Sequence, residues 1–298
     1  MDYVKEKLSL LLGVSASLIW GLSPAFTRML GENWGYFTAG MIISIIGGII
    51  ALLYKQLTTG FSSLKSVSNK YWLICGTSYI VFIIASNLSV GLAISRTEVV
   101  TSGIFRLLWP LMTLITIIPI QKIKVKKQFY LAILLCLLGV LITNVNNPSI
   151  SSLICHIFDS WKPCVLGLIS SIAWGIYSNY YSRYVHNAEE DFVGLIMIAT
   201  GLIQLIASYI IDPVPVIYFA QVEQLSLLVF SSFLGNIFWN FGMRGHYNLY
   251  VIIFANFIPV ISTVFTGLIL GVDITFMMLF GSLLIVIGTM WSKKSFII

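Results

Sequence analysis

The stretch SLIWGLSPAFTRML at 17–30 has a counterpart later in the chain, SIAWGIYSNYYSRYV at 171–185. Both carry a Trp-Gly pair at the same place, at residues 20–21 and 174–175. One such match is too short to establish a duplication. A duplicated chain should show further matches in the same order.

Two more pairs of stretches do match in that order. They are LLWPLMTLI at 107–115 with NFIPVISTVF at 256–265, and AILLCLLGVLI at 132–142 with GSLLIVIGTMW at 281–291. Each pair keeps one marker residue, with Pro110 opposite Pro259 and Gly139 opposite Gly288. Three ordered matches therefore indicate an internal duplication.

The composition is that of a membrane protein. Of 298 residues, 58% are hydrophobic and 9% are charged, and the mean hydropathy is +0.95. Soluble domains carry about 25% charged residues, and a bilayer core needs about 20 apolar residues of helix. The runs that meet this length, with Arg106 the only charge inside any of them, are 8–27, 33–54, 71–95, 99–121, 128–158, 163–182, 192–211, 224–243, 245–272 and 274–292. They predict an all-α integral membrane protein with ten transmembrane helices.

The duplication divides these spans into two five-helix repeats, at 1–147 and 148–298. Because five is odd, the second copy enters the membrane from the opposite side. Inverted repeats around a central cavity are typical of secondary transporters, which bind substrate between the repeats near the midplane. A signal peptide at 8–27 is disfavoured, because its apolar region would be shorter.

Lysine and arginine indicate the orientation, because they concentrate in cytoplasmic loops. With the N-terminus inside, the cytoplasmic segments hold Lys5, Lys7, Lys55, Lys65, Lys70, Lys122, Lys124, Lys126, Lys127, Arg183, Arg244, Lys293 and Lys294. The opposite side holds Arg28, Arg96 and Lys162. Both termini are therefore predicted to be cytoplasmic. The net charge of +6 reflects this bias rather than nucleic-acid binding.

Polar and aromatic side chains share faces of the later spans. The candidates at helical spacing are Trp174, Tyr177, Ser178 and Tyr181 on span six, Asn236, Trp239 and Asn240 on span eight, and Asn256 on span nine. They line a cavity or, alternatively, form hydrogen bonds between helices. Tryptophans near span ends are instead expected in the interfacial belt, namely Trp34, Trp72, Trp161 and Trp291.

Arg106 lies inside span four, where a charge requires a partner or water. A substrate carboxylate is one partner, because a guanidinium matches its geometry. A pair with Glu98, burial against carbonyls freed by Pro110, and a water-facing position stay open. Pro110 and Pro259 occupy equivalent places in spans four and nine, so they provide either gating hinges or static kinks.

Several classes of function are disfavoured. The chain has no H-E-x-x-H motif, no phosphate-binding loop and no Cys/His zinc spacing, so we expect no enzyme activity, metal or cofactor. Its aspartates fall in loops or at span edges, and Glu98 is the carboxylate nearest a span interior. Facilitated diffusion or exchange is therefore favoured over proton coupling. Whether Cys155 and Cys164 form a disulfide stays open. We expect a monomer, and a dimer is not excluded by the sequence.

FRLLWPLMTLI at 105–115, SSIAWGIYSNYYSRY at 170–184 and GNIFWNFGMRGHYNLYVIIFANFIPVIS at 235–262 resemble spans of the drug/metabolite transporter superfamily with EamA-type repeats, and in particular its aromatic amino-acid exporters. The resemblance implies an inner-membrane exporter with a central cavity. The lining residues it implies are Trp109, Trp174, Tyr177, Trp239, Asn240 and Tyr79. Arg106 departs from the pattern, in which that position is neutral and polar.

The sequence thus predicts a secondary transporter that moves aromatic or other apolar amino acids across the cytoplasmic membrane by alternating access. Its partners would be a small-molecule substrate and the lipid bilayer. Two alternatives are a carrier of drugs or other metabolites, such as nucleoside derivatives or organic anions, from the same superfamily, and a membrane scaffold that transports nothing.

Overall fold

The computed structural model describes residues 2–92, 105–144, 158–159, 161–212, 219–258, 260–261 and 275–297. Its α-helices are α1 (Asp2–Trp34), α2 (Tyr36–Thr58), α3 (Thr77–Gly91), α4 (Trp109–Gln121), α5 (Gln128–Asn144), α6 (Trp161–Tyr184), α7 (Val193–Ile211), α8 (Phe219–Arg244), α9 (Asn248–Ala255) and α10 (Phe276–Ser295). The shorter elements are 3₁₀ turns at Ser62–Lys65 and Ala188–Glu190, a π-helical turn at Tyr71–Gly76, and two antiparallel strands, β1 (Lys124–Val125) and β2 (Phe296–Ile297).

Several helices have the length and hydropathy of membrane spans. Among the described residues these are Tyr36–Thr58, Tyr71–Gly91, Ala188–Ile211, Gln221–Arg244 and Phe276–Ser295, with shorter apolar helices at Trp109–Gln121 and Gln128–Ile142. Large apolar side chains on the outer faces, such as Leu53, Leu131, Ile206 and Met290, are more than half exposed. Lipid is the solvent that suits such a surface. An all-α membrane protein is therefore confirmed, and the number of ten spans stays a prediction.

Helices of the first half pair with helices of the second half. The main pairs are α1 with α8, α2 with α7, α3 with α6, and α5 with α10, and α4 packs on α6. Small residues line these contacts. A Cβ on Gly48 would lie 2.7 Å from the Gly194 carbonyl oxygen, and one on Gly201 would lie 3.2 Å from the Met41 carbonyl oxygen. Close approach of this kind is how helices associate in lipid.

The α5–α10 contact is symmetric in the two matched stretches. A Cβ on Gly139 would lie 2.6 Å from the carbonyl oxygen of Gly281, and one on Gly288 would lie 2.8 Å from that of Ala132. Ala132 and Gly281 are the first residues of the matched stretches, and Gly139 and Gly288 also correspond. Each contact therefore pairs a glycine of one stretch with the first residue of the other. The residues pair in opposite chain order, which makes α5 and α10 antiparallel.

A helix break precedes Pro110 inside span four. The helix breaks at residues 107–108, and α4 starts at Trp109 with Pro110 in its first turn. A proline there costs no hydrogen bond, because the first-turn amides have no helical acceptor. Leu108 N donates to Phe105 O at 3.3 Å across the break.

The ninth span breaks at the equivalent place. Phe257 N donates to Phe254 O at 2.9 Å, after α9 has ended at Ala255. These two residues correspond to Leu108 and Phe105 when Pro259 is aligned with Pro110. Pro259 itself lies outside the described residues, so a hinge at Pro110 and Pro259 stays a prediction.

Trp34 is buried rather than interfacial, which corrects its assignment to the aromatic belt. It is 2% exposed, and its Nε1 donates to Gln221 Oε1 at 2.7 Å. Trp161 and Trp291 are exposed, as belt residues would be. The turn at Gly35 (φ 85°) brings α2 beside Asp212, whose Oδ2 accepts from Thr38 N. A tertiary contact at a span end therefore outweighs the general preference of tryptophan for the interface.

Candidate functional site

Four tryptophans from four helices meet in the bundle. Trp20 of α1, Trp109 of α4, Trp174 of α6 and Trp239 of α8 form the tryptophan cluster, in which every pair of ring centroids lies between 5.2 and 6.0 Å apart. Trp239 is 0% exposed and Trp174 is 2% exposed. Edge-to-face and tilted pairs at these distances each contribute about 0.5–1.5 kcal/mol beyond area burial.

Further aromatic rings extend the tryptophan cluster on the α3 side. The Trp174 centroid lies 4.6 Å from Phe82, 6.1 Å from Tyr79 and 5.2 Å from Tyr177. On the α8 side, Gly235 makes room for the Trp20 indole, because a Cβ there would overlap it. The predicted lining residues therefore meet, with their rings in contact in this conformation.

The predicted polar face of α6 is satisfied by α8. Ser178 Oγ accepts from Trp239 Nε1 at 3.0 Å, and Tyr177 donates from its hydroxyl to Asn240 Oδ1 at 2.9 Å. These bonds cross between helices, so they lock α6 and α8 in register. Hydrogen-bonding between helices, the alternative left open from the sequence, accounts for Ser178 and Asn240 in this conformation.

Three polar atoms of the predicted site residues are buried without a hydrogen-bond partner in the described part of the chain. They are the donors Arg106 Nε and Trp174 Nε1 and the acceptor Asn236 Oδ1. Asn236 lies beside Tyr79, and its Nδ2 bonds within its own helix to Ser232 O at 2.8 Å. A buried unsatisfied polar atom costs about 1–3 kcal/mol. Such atoms are available to a bound molecule.

Arg106 lies just before the helix break at residues 107–108, and its backbone is held by α6. It precedes Trp109 by three residues, and Ser171 Oγ donates to the carbonyl oxygens of Phe105 at 2.6 Å and Arg106 at 3.0 Å. Tyr36 lies near its guanidinium. Glu98, the alternative partner considered from the sequence, lies outside the described residues.

Two predicted site residues have hydrogen bonds directed elsewhere. Asn256 donates from Nδ2 to Ile252 O of its own helix at 2.9 Å, a structural use of asparagine. Tyr181 donates to Asp191 Oδ2 at 2.8 Å, farther along α6. Its ring centroid lies 5.8 Å from that of Tyr177, so it continues the aromatic face without reaching the tryptophan cluster.

Sequence reasoning missed two residues. Trp20 was noticed only as a marker of the repeat, although its equivalence to Trp174 could have identified it as a site residue. Asp191 was placed at a span edge, yet its side chain is 8% exposed and accepts several hydrogen bonds. No local signal distinguishes it from an exposed loop aspartate, because its burial depends on the helices around it.

Comparison with known proteins assigns the family. The model of the EamA-like transporter family matches residues 7–145 and again 161–292. The aromatic amino acid exporters YddG of Salmonella typhimurium and of Escherichia coli K12 are each 22% identical to the chain, with 94% of both chains covered. The uncharacterized transporter YrdR of Bacillus subtilis is 24% identical over 65% of this chain and 62% of its own.

A crystal structure of another protein shares the fold. Its TM-score is 0.76 at 16% identity, and the alignment covers 96% of this chain and 97% of the other. The family and these relatives are membrane transporters rather than enzymes. Because the two family matches together take in most of the sequence, this chain belongs to the EamA-like transporter family of the drug/metabolite transporter superfamily.

Proposed function

We propose that this transporter moves aromatic or other apolar amino acids across the cytoplasmic membrane by alternating access. The observation that carries the proposal is the tryptophan cluster with its unsatisfied polar atoms. Two relatives that align over almost the whole chain are aromatic amino acid exporters, which agrees with it.

The tryptophan cluster suits a flat apolar side chain. It draws two rings from each half, Trp20 and Trp109 from the first and Trp174 and Trp239 from the second. A tryptophan ring can replace one aromatic neighbour by another at a small cost in free energy, because offset and edge-to-face pairs are similar in energy. Separation of the halves would let a substrate ring take the place of a tryptophan neighbour.

The unsatisfied atoms suit a zwitterion. Arg106 Nε and Trp174 Nε1 are donors for a carboxylate, and Asn236 Oδ1 is an acceptor for an ammonium group. A guanidinium–carboxylate pair is a charge-assisted hydrogen bond and is stronger than a neutral one. Arg106 therefore supplies recognition of the carboxylate, and Asn236 supplies recognition of the amino group.

Alternating access requires two halves that can exchange conformations. We propose that residues 1–147 and 148–298 are inverted five-helix repeats within a ten-span bundle. The reciprocal contacts of Gly139 with Gly281 and of Gly288 with Ala132 support this, as do the equivalent helix breaks before Pro110 and Pro259. Inverted repeats allow outward-open and inward-open states to form from one packing scheme.

The experiment is efflux from proteoliposomes that contain the purified protein and one labelled amino acid at a time. We expect phenylalanine, tyrosine and tryptophan to leave faster than lysine or glutamate, without a pH gradient. Trp109→Ala should abolish the selectivity, and Trp161→Ala, in an exposed tryptophan of α6, should keep it.

Equal efflux of all amino acids, or none in protein that elutes as a single species, would refute the substrate. A strict requirement for a proton gradient would refute the facilitated mechanism. Efflux of organic anions that lack an amino group would favour the anion carrier, with Arg106 as its recognition residue.

A further inference from the structure

Asp191 is a buried carboxylate at one end of the bundle. It precedes α7, and it accepts hydrogen bonds from the Tyr181 hydroxyl at 2.8 Å, from Val193 N at 3.1 Å and from Asn240 Nδ2 at 3.4 Å. Arg244 Nη1 lies 3.9 Å from its Oδ2. We call Asp191, Tyr181, Asn240 and Arg244 the Asp191 clasp. It joins the ends of α6 and α8 to the start of α7.

Residues of the first half of the chain bind the segment 188–192, which precedes α7 and contains Asp191. Lys55 of α2 donates from Nζ to Glu189 O at 2.7 Å and to Ala188 O at 3.3 Å, and its Nζ lies 4.1 Å from the centre of the Phe192 ring. Phe192 N donates to the Tyr71 hydroxyl at 3.2 Å. The segment before α7 is therefore anchored from both halves.

Aromatic rings fill the space around the Asp191 clasp. Tyr71 packs on Trp72 with centroids 5.1 Å apart and on Tyr181 at 6.4 Å, and Trp72 packs on Phe192 at 5.9 Å. Tyr71, Tyr181 and Phe192 are each 0% exposed. This end of the bundle, which the lysine and arginine pattern predicts to be cytoplasmic, is closed in this conformation.

A hydrogen-bonded path leads from the Asp191 clasp to the tryptophan cluster. Asn240 donates to Asp191 and accepts from Tyr177, whose ring lies 5.2 Å from that of Trp174. The side-chain amide of Asn240 therefore links the two regions: its Nδ2 bonds to Asp191 and its Oδ1 to Tyr177. Movement of Trp174 or Tyr177 would disturb the Asn240 bonds, because each bond requires a narrow geometry.

The Asp191 clasp is loosely packed around Arg244. Arg244 Nη1 makes no hydrogen bond in the described part of the chain, although its side chain is only 9% exposed. A cavity of about 90 Å³ adjoins it, lined in part by Lys55, Asp191 and Phe241. A long ion pair next to empty space can rearrange without a clash, unlike a tightly packed core.

We propose that the Asp191 clasp is a gate that closes the predicted cytoplasmic end of the transport path, and that Asn240 couples it to the tryptophan cluster. Asp191 acts as a positioning residue and does not touch the substrate. The Asp191 carboxylate holds α6, α7 and α8 together, and separation of Arg244 from it opens this end. The coupling to the tryptophan cluster rests on the proposed function, whereas closure of this end does not.

Cys75 provides a native reporter of the gate. Its side chain is a free thiol, 0% exposed, in the same π-helical turn as Tyr71, whose hydroxyl accepts from Phe192 N beside Asp191. In a protein carrying Cys136→Ala, Cys155→Ser and Cys164→Ala, a membrane-impermeant maleimide should label Cys75 slowly in inside-out vesicles. Asp191→Asn and Arg244→Gln should each raise that rate about fivefold or more, the effect expected from loss of a buried charged partner.

Glu189→Gln is the matched control, because it neutralises an exposed carboxylate two residues away and should leave labelling within about twofold. Only variants that elute as a single species count, and if one clasp variant fails to fold, the other alone decides the outcome. Unchanged Cys75 labelling in a well-folded clasp variant, or an equal increase in Glu189→Gln, would overturn the gate. The assay contains no substrate, so an error in the proposed substrate would leave its result intact.

Discussion

Trp20 and Trp174 are equivalent residues of the two halves, and their rings pack edge to face with centroids 5.2 Å apart. The tryptophans of the two Trp-Gly pairs that indicated the repeat are therefore in contact. If the two halves are inverted repeats, as we propose, residues whose two copies touch lie near the twofold axis. The tryptophan cluster is then where the halves would separate for a substrate to pass between them.

We expect substitution of this pair to impair transport more than folding. Trp20→Phe and Trp174→Phe keep an aromatic ring but remove the larger indole, and should lower phenylalanine efflux about 10-fold, which corresponds to about 1.4 kcal/mol. Efflux and thermal unfolding of purified protein would be measured together. A matching loss in Trp161→Phe, at an exposed tryptophan outside the cluster, would show that the effect is not local.

Arg106→Gln should abolish efflux of phenylalanine and spare phenylalanine amide, which lacks the carboxylate. Arg106→Lys should retain part of the activity, because lysine keeps the charge and loses the planar donor geometry. The ratio of the two efflux rates is the measurement. If both solutes are lost together in well-folded protein, Arg106 is a structural residue.

Gly139→Ala and Gly288→Ala should destabilise the α5–α10 pair. The added Cβ would meet the carbonyl oxygens of Gly281 and Ala132, and overpacking of this kind costs about 1–3 kcal/mol. Thermal unfolding in detergent would measure it. Gly76→Ala is the control, because a Cβ there meets no atom within 4 Å. Equal unfolding temperatures for all three would contradict the observed packing.

Tyr177→Phe removes the hydroxyl that donates to Asn240 and leaves the ring against Trp174. We expect slower efflux with little change in substrate affinity, because the tryptophan cluster is kept while its link to the Asp191 clasp is lost. Competition by unlabelled phenylalanine measures the affinity. A large loss of affinity with normal maximal efflux would assign the hydroxyl to substrate binding instead.

The membrane orientation predicts sided labelling. In a cysteine-free background, Asp159→Cys should react with an impermeant maleimide in intact cells, and Lys65→Cys should react only after the cells are opened. Both positions are exposed, so access depends on the side of the membrane alone. The reverse pattern would invert the assignment of the termini and of the end closed by the Asp191 clasp.

Hydropathy and the repeat were sufficient to predict the class of protein. The length of each apolar run can be read locally, because the thickness of the bilayer sets it for every span. The ordered matches between the two halves can be read from the sequence in the same way. Helical periodicity also placed Trp174, Tyr177 and Ser178 on one face, because side chains three and four residues apart must share it. The structure brings that face against α8, and the matched tryptophan Trp20 joins it.

Only the tertiary structure decided what happens where helices end. The helix of span four breaks just before Pro110, which lies in the first turn of α4, and Trp34 is buried against Gln221 instead of lying in the interface. Asp191 is buried by the convergence of helices from both halves, and no neighbour in the sequence reveals that. Local sequence determines that a segment is helical and which of its faces is apolar. Where the helix ends, and what surrounds its terminal residues, depends on contacts with distant parts of the chain.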